Sequence, residues 1–240
     1  MAPSRPRSFS VVVPARNEEG NLKACVQMLV RLLDEHFEDY EIIVCNDGST
    51  DGTGPLADAL AAQYPAVRVI HQSPSRGFAE SYQRGLQLAR CAYVGLIPGD
   101  NELLEESVAA ICAHVGRADI VIPSIANQEV RPWLRRHISV NYTAVVNVLF
   151  RQRLRYFQGP CVYPTELARR LRISTRGFPF LTEMLVRALV AGYSSVEIPM
   201  YLTPRTYGKS RALSWINVRT TLKTLAILVR DVYIRRRPLA

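Results

Sequence analysis

The chain has 240 residues, enough for one generous domain or for one domain with a small appendage. Hydrophobic residues make up 48% and charged residues 21%, a balance that excludes disordered and collagen-like chains. The formal charge of +9 admits nucleic acid, acidic lipid headgroups or phosphorylated substrates as partners without choosing among them.

In chain order, MAPSRPRSFS carries basic residues but no apolar stretch behind them, so it does not read as a signal peptide. Short β-branched runs then alternate with helical patterns. SVVVP precedes a helix over 21–37, EIIVCN one over 55–63, VRVIH one over 77–89 and YVGLIP one over 103–115, before DIVIP closes the series. Apolar runs separated by helices predict βαβ units and a mostly parallel sheet covered on both faces, with ligands at the carboxyl ends of the strands. After Pro123 the pattern predicts a helix following Trp133, a short strand at 161–163, a helix over 181–191 and a strand at 195–198. A basic loop and an amphipathic helix over 213–233 finish the chain. The expected division is a catalytic domain over 1–212 and an appended basic helix over 213–240.

Five dispersed cysteines without a CxxC pair predict reduced thiols in a cytoplasmic compartment, and no zinc site or disulfide framework. No run of 18 apolar residues predicts a membrane span. The final helix mixes Trp215, Leu222, Ile227 and Leu228 with Arg219, Lys223 and Arg230, then ends in three arginines. That composition suits an interfacial helix on an anionic leaflet, and it suits packing against the domain or another subunit nearly as well. The basic residues lack the interleaved aromatics of a nucleic-acid stacking surface.

Two loops carry the first chemical signals. In VVVPARNEEGNL, the Glu18 carboxylate at a strand's end can accept from ribose hydroxyls while the backbone of Pro14 and Ala15 faces a base. A plain helix start, with Asn17 or Asn21 as cap, explains the same residues. In EIIVCNDGSTDGT, Asp47 can accept from a base or ribose and Asp51 can cap the following helix; an Asx turn accounts for one aspartate but less well for the whole string.

These two loops, followed in order by SRGFAESYQRGL, IPGDNELLEE, GFPFLTEML and RTYGKSR, resemble the family-two glycosyltransferases, in particular the branch of polyprenyl-phosphate mannose and glucose synthases. The resemblance implies an α/β fold of the GT-A type and a nucleotide diphosphate sugar as donor. It further implies a donor site built from Pro14, Ala15, Glu18, Asp47, Arg76 and Asp100, and a Mg²⁺ or Mn²⁺ ion on Asp100 supplemented by Glu102. It assigns Glu183 to orient or deprotonate the acceptor, although a glutamate favoured by the helix dipole reads equally well. Arg205 and Lys209 are assigned to the leaving-group charge in a lid-like loop, and Arg135, Arg136 and Arg211 to an acceptor or donor phosphate.

Two positions depart from the family pattern. Pro98 replaces the first aspartate of the usual DxD, and YFQGPCVY offers Tyr156 and Pro160 where the branch has an Asp ahead of a Gly-Phe pair. The resemblance therefore implies a polyprenyl phosphate acceptor, with a soluble hydroxyl acceptor as the alternative. A noncatalytic nucleotide-sugar binder is the reading that Pro98 favours. The oligomeric state, including a homo-oligomer, is open.

Overall fold

A computed structural model describes residues 8–175, 177, 179–203 and 215–234, the side chains of 215–218 excepted. One seven-stranded sheet organises them, in the order β3-β2-β1-β4-β6-β5-β7. Its strands are β1 (Ser8–Ala15), β2 (Asp39–Asp47), β3 (Val67–Gln72), β4 (Tyr93–Leu96), β5 (Ile120–Ile125), β6 (Val162–Pro164) and β7 (Ser195–Met200). All neighbours are parallel except β6, which runs antiparallel to both β4 and β5. β5 therefore points the same way as β1 and β4, and the loops after these strands open at one end of the sheet. The expected α/β fold with a mostly parallel sheet is the observed one, with β6 as the single reversal.

The helices are α1 (Leu22–His36), α2 (Thr53–Gln63), α3 (Phe78–Leu88), α4 (Glu105–His114), α5 (Trp133–Phe150), α6 (Thr165–Arg170), α7 (Phe180–Val190) and α8 (Trp215–Val229). A π-helical turn, Arg230–Ile234, ends the described chain. Strand side chains alternate between two apolar cores. Val11, Val13, Ile42 and Val44 face α1 and α4, whereas Val12, Ile43, Val94 and Ile122 face α3 and α7. Both faces being covered explains why the central strands read as unbroken apolar runs.

Gly85 lets α3 settle on the sheet, since a Cβ there would collide with Val12 and Cys45. α8 joins the second core through Leu225 and Leu228. The five cysteines are buried and free.

Candidate donor and acceptor site

The two loops that follow β1 and β2 are laced together. Asn17, at φ +57°, receives Thr50 N–H on its Oδ1 at 2.9 Å and donates its own N–H to Ser49 Oγ at 3.1 Å. Glu18 N–H reaches Thr53 Oγ1 at 2.8 Å, and Gly52 N–H reaches the Glu19 carboxylate at 3.0 Å. Asp51 accepts from Thr53 N–H and Glu19 N–H. Burial works to raise the Asp51 pKa, but these hydrogen bonds outweigh it and leave the group lowered and ionised. Asx-type residues thus satisfy loop donors across two connections rather than within one.

Asp47 closes a second loop. It is 3% exposed, and its carboxylate accepts from Ser75 Oγ (2.7 Å), Arg76 N–H (2.6 Å) and Gly77 N–H (2.8 Å). Gly48 takes φ +61° beside this turn, where a Cβ would press on Ser75 N at 2.7 Å. The carboxylate expected to meet a base or ribose therefore has both oxygens engaged in shaping the 75–77 turn. Arg76 contributes its backbone N–H to Asp47 and keeps its side chain exposed.

The Pro98–Glu102 turn joins from β4. Gly99 N–H bonds Pro14 O at 3.1 Å and packs against Ala15, so the end of β1 and the Asp100 turn form one wall. Asp100 is half-buried, and its Oδ1 accepts from Glu102 N–H at 3.4 Å. Cys25, beneath, donates to Pro98 O. Burial first, then the charges of Asp100 and Glu18, push its thiol up to about 12. Asp100 and Glu18 thus send their negative fields into the same place. Glu18 keeps one oxygen on the Asn21 amide at 2.8 Å and its carbonyl on the start of α1, so its donor-facing and helix-starting readings coexist.

Among the described residues no three His, Cys, Asp or Glu side chains gather to hold a metal. The hard oxygen donors of Asp100 and Glu102, two residues apart in one turn, fit a divalent cation that takes most of its ligands from phosphates and water.

Arg205, Lys209 and Arg211 lie outside the described residues, but the segment that leads to them does not. Thr203 donates through N–H (2.8 Å) and Oγ1 (3.2 Å) to Glu102 O, and Leu202 bridges Leu103. Asn127, after β5, holds Leu202 through both its amide groups. Thr203 is therefore fixed on the turn that carries Asp100. No pattern in the sequence announced Thr203, Asn127, Thr53 or Ser75, because their partners are distant along the chain.

Glu183 stands apart from this assembly. It is fully buried in α7, and its carboxylate accepts from Ser174 N–H and Oγ, Thr175 N–H and the Arg187 guanidinium at 3.0–3.2 Å from the last. Arg187 bonds Asp231 in turn at 3.0 Å. The resemblance assigned this residue to the acceptor, with a glutamate favoured by the helix dipole as the equal alternative; its carboxylate lies inside the protein with its oxygens hydrogen-bonded. Arg135 and Arg136 occupy the first turn of α5, which emerges at the same end of the sheet as the Asp100 turn.

The sequence pattern of glycosyl transferase family 2 matches residues 10–176, spanning both laced loops and the Asp100 turn. The chain belongs to glycosyl transferase family 2. Polyprenol monophosphomannose synthase of Mycolicibacterium smegmatis is 29% identical over 229 residues, covering 90% of this chain and 84% of that protein. Glycosyltransferase GlyG of Streptococcus pneumoniae is 33% identical over 123 residues, covering 50% of this chain and 40% of that protein. Glycosyltransferase AglD of Haloferax volcanii is 30% identical over 211 residues, and the match spans only 33% of its length.

Among solved structures, glucosyl-3-phosphoglycerate synthase of Mycobacterium tuberculosis, in complex with Mn²⁺, UDP and glucosyl-3-phosphoglycerate, superposes with a TM-score of 0.69 at 18% identity. The superposition covers 93% of this family-two chain and 80% of that one. The fold is of the GT-A type.

Proposed function

We propose that the chain is an inverting, metal-assisted glycosyltransferase that moves a sugar from a nucleoside diphosphate to a polyprenyl phosphate on the cytoplasmic side of a membrane. The observation that carries the donor side is the single wall formed by Pro14, Ala15, Gly99 and Asp100, with Thr203 bonded to Glu102 O beside it. Glu18 and the backbone of Pro14 and Ala15 bind the nucleoside. Asp47 acts on it indirectly, by fixing the 75–77 turn that presents Arg76.

Asp100, supplemented by Glu102, would hold a divalent ion. When bound, that ion offsets the charge that builds on the departing diphosphate. The acceptor phosphate oxygen attacks the anomeric carbon while the bond from that carbon to the diphosphate oxygen breaks, so the nucleoside diphosphate leaves with the electron pair. A phosphate oxygen is already largely ionised at neutral pH and needs no strong base. That chemistry suits a Glu183 that is saturated by hydrogen bonds and holds structure instead. Arg205 and Lys209 add positive charge to the leaving group, and Arg135, Arg136 and Arg211 meet the acceptor phosphate.

The match to polyprenol monophosphomannose synthase over nine-tenths of the chain supports the lipid acceptor. A soluble phosphorylated or hydroxyl acceptor is the second reading, favoured by the YFQGPCVY departure and by the fold neighbour whose complex contains glucosyl-3-phosphoglycerate. The deciding experiment is a calorimetric panel of nucleotide sugars with Mg²⁺ or Mn²⁺, followed by transfer assays with polyprenyl phosphate and with soluble acceptors. Binding of a donor and transfer to the lipid phosphate are expected. Absence of donor binding under either metal, with Asp100→Ala indistinguishable from the parent, would sink the enzyme reading.

A further inference from the structure

A cavity of about 250 Å³ opens between the segment after α6, the last turn of α7 and the C-terminal turn. Arg172, Arg187, Arg230 and Asp231 supply its charge, and the half-buried Ile173 and Ile227 its apolar walls. It lies away from the donor site. α7 leads into β7, which is parallel to β5, so α7 descends from the end of the sheet that carries Asp100, and Arg187 stands in its last turn. α6, on the other side, is tied by Thr165 N–H to Ala92 O at the entry of β4.

The guanidinium groups are only partly used by the protein. Arg187, 3% exposed, gives Nε and Nη2 to Glu183, and the same Nη2 to Asp231. No hydrogen bond among the described residues uses its Nη1. Arg172 is exposed at the mouth and has no hydrogen bond or ion pair among the described residues. Arg230, its side chain 44% exposed, reaches Asp231 Oδ1 at 3.3 and 3.4 Å, long for charge-assisted bonds. With Glu183 counted behind Arg187, three guanidiniums against two carboxylates leave one positive charge uncompensated. Arginines that share one recess repel each other unless an anion lies among them.

We propose that this cavity is a second anion site, taking the phosphate group of a small phosphate monoester on Arg172, Arg187 and Arg230. Planar guanidinium forks match phosphate oxygens, and the two isoleucines give a short carbon skeleton a surface to lie on. The volume falls below the roughly 300–1,000 Å³ of pockets for drug-sized ligands, so a compact ligand fits and a nucleoside diphosphate sugar does not. An occupant would bridge the 172–174 segment, α7 and the C-terminal turn, and would thereby stabilise the fold.

The test is calorimetry and thermal unfolding of the full chain with inorganic phosphate and with methyl phosphate, at an ionic strength held constant with chloride. Saturable binding of both is expected, with a rise in the unfolding midpoint. Arg172→Gln and Arg230→Gln are each expected to weaken binding by about tenfold or more, the loss expected for a hydrogen bond to a charged group. Both side chains are exposed, and midpoints without phosphate identify any variant that misfolds. Phosphate binding should persist when UDP or GDP is present with Mg²⁺.

No saturable binding at millimolar phosphate overturns the proposal, as does equal affinity in the folded variants. Loss of phosphate binding on adding the nucleotide places the anion in the donor cleft and overturns it as well. The dependence on Arg172 and Arg230 is read without donor or acceptor, so its outcome is separate from that of the transfer assays.

Discussion

Asp47 and Glu183 are both carboxylates sealed inside the protein, at 3% and 0% exposure, yet they are satisfied in different ways. Asp47 takes its hydrogen bonds from one neighbouring turn, through Ser75, Arg76 and Gly77. Glu183 takes its bonds from the 174–175 backbone and from Arg187, which passes the contact on to Asp231 near the end of the described chain. The first arrangement shapes one wall of the donor site. The second ties α6–α7 and the C-terminal turn into one body. An ionised group without partners would be intolerable at either place, so each carboxylate is strong evidence for its loop's conformation, and neither is free to do chemistry as it stands. Asp100 is half-buried in the turn after β4, where its Oδ1 accepts from Glu102 N–H.

Asp100→Ala gives the sharpest separation between groups that act and groups that hold. Transfer should fall by about 10²–10³-fold, the size expected when a developing charge loses its main stabiliser. The unfolding midpoint in urea should stay close to that of the parent. Equal activity in the variant would move the cation site elsewhere in the cleft.

Glu183→Ala should do the reverse. Removing one partner from a buried ion pair costs about 3–5 kcal/mol, because Arg187 is left with Asp231 alone and the N–H groups of Ser174 and Thr175 lose their acceptor. Equilibrium unfolding measures it. Glu183→Gln keeps the shape of the side chain and discriminates the roles. A folded Gln variant whose kcat drops a hundredfold would restore a base at this position, whereas a stability loss with kcat nearly intact supports the holding role. Asp47→Ala should be milder in stability, about 1–3 kcal/mol, since water can re-solvate part of the exposed 75–77 turn. Its signature is a weaker donor affinity with little change in kcat, read by calorimetry and initial rates.

The contrast also explains what could be read in advance. β1, β2, β4 and β5 were legible because a parallel strand buried on both faces has to be an apolar run, as Val11–Val13 and Ile42–Val44 are. The Asp100 turn and the laced loops were legible as strings of Gly, Asn and Asp at strand ends. The reversal of β6 was not, since a three-residue strand has no periodicity and its direction is set by the long connection from α5. Nor was the six-residue α6, which was missed altogether. The role of Glu183 was hidden for a different reason. Arg187 is one helical turn away, but its partners at 174 and 175 and Asp231 behind Arg187 are brought in only by packing. Local motifs thus revealed the donor half, while the other half depends on contacts between segments far apart in the chain.

The smallest effect concerns Asp231 and is read in acid. Burial alone would raise its pKa, but the hydrogen bonds and charges of Arg187 and Arg230 outweigh that and hold it below the ordinary value. A carboxylate depressed in the folded state stabilises the fold above its unfolded pKa of about 3.9, and that contribution drains away as pH falls through the lower folded value. The difference in unfolding free energy between the parent and Asp231→Asn should therefore be constant from neutrality down to about pH 5 and shrink below about pH 4. Urea titrations across that range test it. A difference that persists unchanged to the lowest pH would mean that the contact is geometric rather than ionic, and that the C-terminal turn is held by packing and by the Tyr233 contact with Leu149 instead of by charge.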